Sequence, residues 1–361
     1  MNGIAEQSLL ALPDGSRAKP RKVREYRFLA PAQPTIVFDS FWHLAAERQR
    51  IFFARLRGEP SPWSRDPILQ AHKFTNAYRA SDRVSQYLIR EVIYKGSQSP
   101  EEVTFRTLLF KLFNRIETWE RLSQHLGPLT WDEFKPDACT AVLDAAMAEG
   151  ERVYSAAYIM PSGGRQAKLA RKHTMHLSLL GRMMREDLPG QLERASNMEE
   201  AFTILRGYPT IGDFLAYQYV TDLNYGPHLD FTEMEFVIPG PGARDGIHKC
   251  FSDTGGLTEP ELIRLVAQHQ RDCMKVAEVE FRDLWGRPLQ LIDCQNLFCE
   301  VSKYARVAHP EVAGRTGRTR IKQLFSPGRS LLTPWYPPKW KLNSRIKEDF
   351  PDVPNRSSNK R

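Results

Sequence analysis

Apolar residues recur at the three- and four-residue spacing of α-helices through most of this 361-residue chain. Only three short stretches have the character of a strand, at residues 153–160, 236–238 and 289–293. Strands and helices do not alternate and there is no internal repeat, so a doubly wound parallel sheet is disfavoured. The pattern predicts a mainly α-helical fold with two or three short β-strands.

Capping and helix-breaking residues set the expected helix limits. Asp39 is expected to cap a first helix, which ends at Gly58 and Pro60. Residues 68–94 form a second long helical region, with a break near residues 80–82. Pro100 and the two acids after it open another helix. Helical periodicity is also present over residues 136–149 and 168–206.

The positive charge is concentrated at one end of the chain. The net charge is +8, but residues 315–361 hold 12 Lys/Arg and 3 Asp/Glu, which gives this segment +9 and the remainder −1. Trp335, Tyr336 and Trp340 lie among these charges and are expected to hold the backbone or stacked bases of a polynucleotide. The alternative is a solvated basic tail.

Composition and charge divide the chain into three expected parts. Residues 1–35 are rich in proline, glycine and basic residues and are expected to form a flexible basic arm. Residues 36–314 form the helical domain. Residues 315–361 form a basic, aromatic-containing C-terminal extension.

Several classes of protein are disfavoured. No apolar run approaches the roughly 20 residues of a membrane-spanning helix, and the N-terminus has no secretory pattern. Five scattered cysteines without a C-x-x-C pair favour a reducing compartment, the cytoplasm or a nucleus. Walker, zinc-protease, nucleophile-elbow and Rossmann patterns are missing from the sequence. We interpret His173 and His176 as a solvated or capped pair rather than as metal ligands. Neither a metal nor a cofactor is expected.

The stretch at residues 73–94 carries a polar face if it is helical. Spacings of three and four residues then put four polar side chains on one side, those of Asn76, Arg79, Arg83 and Gln86. Two guanidinium groups beside two amides can bind phosphates and read base edges. Pairing of the arginines with Asp82 within the helix is the alternative.

A turn between two helices is a second candidate. One helix is expected to end at Arg206 and another to begin at Asp213, with Gly207 and Gly212 bounding the turn. This layout is typical of a helix-hairpin-helix element, in which glycines let backbone N–H groups approach a DNA phosphate. An ordinary tight connection between helices uses the same glycines.

Acidic residues after this hairpin are candidates for a general base: Asp230, Glu233 and Glu235. The corner at residues 239–242 contains Gly240 and Gly242 and precedes Arg244, so its backbone N–H groups could bind an anion. Each of these acids could instead cap a helix or pair with an arginine.

A fourth group of candidates lies near the end of the helical region. Asp293 stands at the end of a predicted strand, where ligands commonly bind. Glu300 and Lys303 follow on a predicted helix, three residues apart. They are expected to form a half-buried structural pair or to line a site.

Together these stretches resemble the helical-domain family associated with 5-hydroxymethyluracil DNA kinases. The resemblance covers residues 37–310 and is carried, in chain order, by FW…ERQ…F…R from Phe41, PWSRDPILQAHKFTNAYRASDRVSQYLI from Pro62, FLAYQYVTDLNY from Phe214, EFVIPGPGARDGI from Glu235 and IDCQNLFCEVSKYAR from Ile292. That family resembles the alpha-glutamyl/putrescinyl thymine pyrophosphorylases. The resemblance implies a DNA-glycosylase-like fold, DNA as partner and a part in thymine hypermodification.

Two departures from related patterns bear on the reaction. Kinase members carry a separate nucleotide-binding domain whose phosphate loop this sequence does not contain, so a separate nucleotide kinase is an expected partner. Helix-hairpin-helix glycosylases place an acid about twenty residues beyond the hairpin glycine, and Asp230 and Glu233 lie 18 and 21 residues beyond Gly212. The hairpin has no lysine, which disfavours Schiff-base chemistry.

The residues and the resemblance leave three hypotheses. In the first, the chain is a DNA-binding enzyme that transfers a group at the 5-methylene position of a modified thymine. In the second, it is a non-catalytic DNA-recognition subunit of a kinase system. In the third, it is a DNA N-glycosylase.

The first hypothesis assigns roles to the polar residues. The base would be Glu235 or Asp230. Asp293, Glu300 and Lys303 would line the pocket. A departing phosphate would be held by the corner glycines and three arginines, Arg79, Arg83 and Arg244. These roles require the arginines and the acids to share one cavity.

Overall fold

The computed structural model describes residues 23–156, 171–326 and 333–351, and this part of the chain is mainly helical. Helices in its first half are α1 (Ile36–Leu56), α2 (Pro67–Ala71), α3 (Arg83–Tyr87), α4 (Pro100–Phe113), α5 (Ile116–Leu126), α6 (Pro136–Ala148), α7 (Lys172–Arg185) and α8 (Leu188–Arg194). Helices in its second half are α9 (Met198–Arg206), α10 (Asp213–Leu223), α11 (Pro241–Cys250), α12 (Glu259–Gln268), α13 (Gln270–Val276), α14 (Leu291–Ala308) and α15 (Asn343–Asp349). The predicted mainly α-helical architecture is confirmed. None of the described helices is long and apolar enough to cross a membrane.

The strands lie elsewhere than predicted. In the described residues the sheet consists of β1 (Gln33–Pro34) and β2 (Phe251–Asp253), which pair antiparallel. Residues 153–156 and 236–238 are irregular, and residues 157–160 lie outside the described residues. Residues 291–293 form the first turn of α14, because Gln290 and Asp293 make a reciprocal capping box there. All three strand predictions are therefore wrong where the structure describes them.

Helix limits follow the capping chemistry closely. Thr35, rather than Asp39, caps α1 by accepting a bond from the Val37 N–H. Pro100 stands at the first position of α4, as predicted. The helix ends at Asn114, whose backbone is left-handed with φ 48°. Since asparagine tolerates this conformation better than most residues, the local sequence sets this end.

The second long helical region is interrupted over more residues than predicted. After the short helix α2, residues 73–78 are extended or bent, and Arg79–Ser81 forms one 3₁₀ turn. Helix α3 then continues into a π-helix at Leu88–Ile93. We call residues 72–82 the irregular segment.

Close packing of α11 on α14 organises the half of the body that also contains α1. A Cβ atom on Gly246 would lie 1.9 Å from the Phe298 carbonyl oxygen, and one on Gly242 would lie 2.3 Å from the Cys299 Sγ. Only glycine permits this approach of the two helices. In the other half, α4 packs against α5, α7, α8 and α10.

The N-terminal part of the described chain packs against the helical body. Tyr26 and Leu29 are buried in the core, and the Tyr26 hydroxyl donates to the Asp39 carboxylate at 2.6 Å. Arg24 donates to the Val276 carbonyl oxygen. The predicted flexible arm is therefore wrong for residues 23–35, while residues 1–22 lie outside the described residues.

Candidate functional site

A group of charged side chains is buried where α4, α10, α14 and the irregular segment meet. Asp222 on α10 accepts two bonds from the Arg79 guanidinium, at 2.6 and 2.9 Å, and lies 3.0 Å from the Lys111 ammonium. Arg79 also donates to Gln218 and to the Tyr225 hydroxyl. The side chains of the three charged residues are at most 3% exposed.

The charges of this group hold each other in the ionised state. Burial raises the pKa of Asp222, but Arg79 and Lys111 outweigh that effect and hold the pKa below its ordinary value. Burial lowers the pKa of Lys111 to about 8, with Asp222 opposing the shift. One carboxylate thus neutralises part of the charge of two buried cations.

Two further acids, Asp293 and Glu233, lie beside this group. Asp293 accepts a bond from the Arg79 backbone N–H at 2.8 Å and another from the Gln290 N–H at 3.0 Å. Glu233 pairs with Arg287 at 2.5 Å and is also buried. Burial raises the pKa of Asp293 to about 6, with the Glu233 charge adding to the shift. Such a carboxyl is close to the range in which a general base works at neutral pH.

We call these six residues the charged cluster: Arg79, Lys111, Asp222, Glu233, Arg287 and Asp293. Three of the five stretches that carry the family resemblance meet here, since Arg79 lies in the stretch from Pro62, Asp222 in the stretch from Phe214 and Asp293 in the stretch from Ile292. Sequence segments more than 200 residues apart are thus joined through buried polar bonds.

Glu300 and Lys303 hold the irregular segment in place. The Glu300 carboxylate accepts a bond from the Thr75 N–H at 2.9 Å, and Lys303 donates to Glu300 and to the Lys73 carbonyl oxygen, both at 2.8 Å. From α1, Arg48 donates to the Thr75 carbonyl oxygen at 2.8 Å. These bonds replace helical hydrogen bonds, which explains why the segment is not a helix.

The predicted polar helix face is therefore wrong. Arg79 points into the charged cluster. Asn76 accepts a bond from Arg48 at 3.0 Å, and Gln86 donates to the Ala80 carbonyl oxygen at 2.8 Å. The Arg83 side chain is 71% exposed and lies 3.8 Å from Glu117.

Nor does the structure bring the remaining phosphate-binding candidates into one cavity with Arg79. Arg244 is exposed and pairs with Glu259 at 3.4 Å. Asp230 is 88% exposed and lies 3.6 Å from Lys339. Glu235 is exposed. The predicted single cavity of arginines and acids is wrong, and a catalytic role for Asp230 or Glu235 remains a prediction.

The glycines at the two predicted anion sites have different surroundings. A Cβ on Gly240 would lie 2.7 Å from the Phe214 ring, so this glycine, like Gly242, serves close packing inside the protein. Gly207 and Gly212 have φ values of −66° and −83°, which other residues adopt. The two helices and the turn are in the predicted order, while phosphate binding at the turn remains a prediction.

His173 and His176, which we interpreted as a solvated or capped pair, are both buried. His173 Nε2 lies 3.0 Å from Asp144, and His176 Nδ1 lies 2.7 Å from the Tyr154 hydroxyl. The two rings have separate polar neighbours.

A run of basic residues lies along the surface beside α14. Its exposed charges are those of Arg315, Arg318, Arg320 and Lys322, and we call residues 315–322 the basic segment. Buried Asp245 accepts a bond from the Thr316 N–H at 2.9 Å, and Arg306 donates to the Arg320 carbonyl oxygen at 3.2 Å. The segment is thus held against the body with its charges outward.

The aromatic residues of the C-terminal extension pack against the helical domain. Tyr336 is buried and its hydroxyl lies 2.7 Å from that of Ser81. Trp335 packs edge-on against Tyr94, and Trp340 against Tyr225. Tyr336 is therefore not available to stack on a base, whereas stacking by the half-buried Trp335 and Trp340 remains a prediction.

The fold and the family model together define the class of this protein. The model described as "5-hmdU DNA kinase, helical domain" matches residues 35–314, and the chain belongs to that family. Among curated proteins, the 5-hmdU DNA kinase of Bacillus phage SP10 is 26% identical over 292 residues. The match covers 76% of this chain and 46% of that relative, so the chain spans about half of its length. No solved structure matches significantly. The family resemblance seen in the sequence is confirmed.

Sequence reasoning missed half of the charged cluster. Lys111 and Asp222 lie on helices without a catalytic pattern, and Arg287 lies in a loop. Glu233 did have a signal, because it stands 21 residues beyond Gly212. Its burial against Arg287 could not be read from spacing.

Proposed function

We propose that this chain binds DNA that contains 5-hydroxymethyluracil and takes part in the modification of that base. Membership in the helical-domain family supports the class of substrate. The name of the phage relative, a 5-hmdU DNA kinase, supports the same base. The reaction that we propose is group transfer at the 5-methylene carbon.

One observation supports the charged cluster as the site of this function. Three of the stretches that carry the family resemblance meet in the charged cluster, although they are far apart in the sequence. An enzyme that acts on a base in a duplex must extrude it into a pocket and bind its polar edge. Paired arginines and acids beside the Tyr225 ring provide both polar and stacking groups.

The proposed chemistry uses these groups as follows. An activated hydroxymethyl group, such as a phosphate ester, loses its C–O bond, and phosphate leaves with the electron pair. An amine nitrogen forms the new C–N bond and gives its proton to a carboxylate. Glu233 or Asp293 is the proposed acceptor, since the pKa of Asp293 is raised to about 6 by burial. Arg287 would offset the charge of the departing group.

The basic segment is the proposed contact with the DNA backbone. Its four basic side chains are exposed, although Arg315 also pairs with Glu259 at 3.2 Å, and phosphate contacts by Lys and Arg supply most of the sequence-independent affinity for DNA. Hydrogen bonds with Asp245 and Arg306 fix the position of its backbone. The segment therefore loses less conformational entropy when it binds DNA.

A specific observation favours the recognition subunit as a second candidate. Glu300 and Lys303, proposed as pocket residues, hold the backbone of the irregular segment. Asp222 likewise neutralises Arg79 and Lys111. A domain with acids engaged in this way would recognise the base and leave phosphoryl transfer to a separate nucleotide kinase.

Nucleoside mass spectrometry separates the two candidates. The protein is incubated with 5-hydroxymethyluracil DNA, with and without ATP and amine donors, and the DNA is digested. Group transfer predicts a nucleoside of changed mass. Glu233→Gln is expected to lower its yield about 100-fold, as for loss of a general base, with binding of unmodified duplex DNA retained.

Glu235→Gln is the matched variant for this experiment, because it makes the same change two residues away at an exposed position. Loss of product in Glu235→Gln alone would restore Glu235 as the base. An unchanged nucleoside profile in every condition, with DNA binding intact, would favour the recognition subunit. Absence of DNA binding at low salt would refute both candidates.

A further inference from the structure

The C-terminal end of the described chain crosses the charged cluster. We call residues 333–351 the strap. At one end the Trp335 N–H donates to Gln86 at 2.9 Å, and at the other end Asp349 accepts bonds from Arg282 and from the Trp285 indole. The strap lies beyond residue 314, where the match to the family model ends.

The Trp340 side chain of the strap contacts the charged cluster. The Arg287 guanidinium lies over the Trp340 ring, 3.7 Å from its centroid. The Tyr336 ring is nearly parallel to the indole, with centroids 5.9 Å apart and an interplanar angle of 21°. Tyr225 meets it at 89° with centroids 5.6 Å apart. The indole is thus held by one cation and two aromatic rings.

The groups that hold Trp340 are also members or neighbours of the charged cluster. Arg287 is bonded to Glu233, and the Tyr225 hydroxyl accepts a bond from Arg79. A guanidinium over a flat ring, with aromatic side chains beside it, is also how proteins bind an unstacked base. An indole and a substituted pyrimidine are flat rings of comparable size.

We propose that the Trp340 side chain occupies the pocket of the extruded pyrimidine base, so that the strap must withdraw before the base can enter. This inference rests on the proposed function and adds to it the position of the base, between Arg287 and Tyr225. Trp340 and the base then compete for one site. Apparent affinity for DNA is reduced by the fraction of molecules in which the indole is seated.

The ion pair next to Trp340, between Lys339 and Asp230, can be replaced by a contact with DNA. Lys339, whose side chain is 21% exposed, lies 3.6 Å from Asp230, whose side chain is 88% exposed, so solvent screens the carboxylate of this ion pair. Lys339 also donates to the Leu229 carbonyl oxygen. A DNA phosphate can take the place of Asp230 as partner of this lysine, which would draw the strap away from the pocket.

Trp340→Ala tests the inference. If the indole is seated about nine-tenths of the time, its removal is expected to tighten binding of a duplex with one 5-hydroxymethyluracil about tenfold. Trp335→Ala is the matched control, since it removes the same side chain from the strap at a place that packs on Tyr94. It is expected to change the dissociation constant less than about twofold.

Unchanged binding by Trp340→Ala would overturn the inference. Weaker binding would do the same and would make Trp340 a residue that stacks on DNA. Equal tightening in both variants would show that a loosened strap, rather than an emptied pocket, is the cause. Failure of every protein to bind duplex DNA at low salt would refute the proposed function itself.

A fluorescence measurement keeps the test decisive if Trp340→Ala does not fold. The emission of Trp340 is the difference between the wild type and Trp340→Phe. Saturation with the duplex is expected to shift this emission to the red and to increase its quenching by acrylamide, as the indole leaves the pocket. An emission that does not change when DNA binds would overturn the inference.

Discussion

Replacement of Asp222 with alanine is expected to lower the free energy of unfolding by about 3–5 kcal/mol. The carboxylate is 1% exposed and lies within 3.0 Å of both Arg79 and Lys111. Without it, two buried cations remain next to each other with no carboxylate between them. A loss of this size is a large part of the roughly 5–15 kcal/mol by which a domain is stable.

Urea unfolding followed by circular dichroism measures this effect. Asp213→Ala is the matched control, because it removes the same side chain from the same helix at an exposed pair with Arg206. It should cost less than about 1 kcal/mol. Equal losses in the two variants would contradict the account of the charged cluster.

Neutralisation of the basic segment is expected to have the largest effect on DNA binding. The triple variant Arg318→Ala, Arg320→Ala and Lys322→Ala removes three outward-facing cations. If each contacts a phosphate, the slope of log affinity against log salt becomes less steep by about 2.7, and affinity near 0.1 M salt falls about 100-fold or more. Fluorescence anisotropy of a labelled duplex across a salt series measures both quantities.

The control for the triple variant must make the same change in net charge. Lys95, Lys135 and Lys275 are exposed on other elements, and their replacement with alanine meets this condition. The control is expected to change the salt slope by less than about 1. Equal effects of the two triple variants would mean that net charge alone, rather than the basic segment, attracts DNA.

The helices could be predicted where local chemistry decides them. Pro100 and Ser99 open α4, and the sequence locates both ends of α6, the end of α9 and the start of α10 within one or two residues. The irregular segment could not be predicted in this way. Its backbone N–H groups at Thr75 and Arg79 bind Glu300 and Asp293, which are more than 200 residues away in the sequence.

The candidate site shows the same division. Residue type predicts Arg79 and Asp293 as site residues, and both lie in the charged cluster. The hydrogen bonds that bring them together could not be predicted from the sequence. Arg83 and Arg244 have similar patterns and are exposed. Whether a charged residue is buried depends on long-range packing, and single-sequence spacing cannot supply that information. The position of the Trp340 ring under the Arg287 guanidinium also depends on long-range packing.

Recognition of one modified base by the charged cluster is measured most directly by a comparison of two duplexes. They are identical except that one contains a single 5-hydroxymethyluracil where the other contains thymine. We expect the wild type to bind the modified duplex about tenfold more tightly, the value of one net hydrogen bond to the hydroxyl of about 1.4 kcal/mol. Glu233→Gln is expected to lose that preference while it binds the thymine duplex as before. Equal dissociation constants of the wild type for the two duplexes would contradict the account.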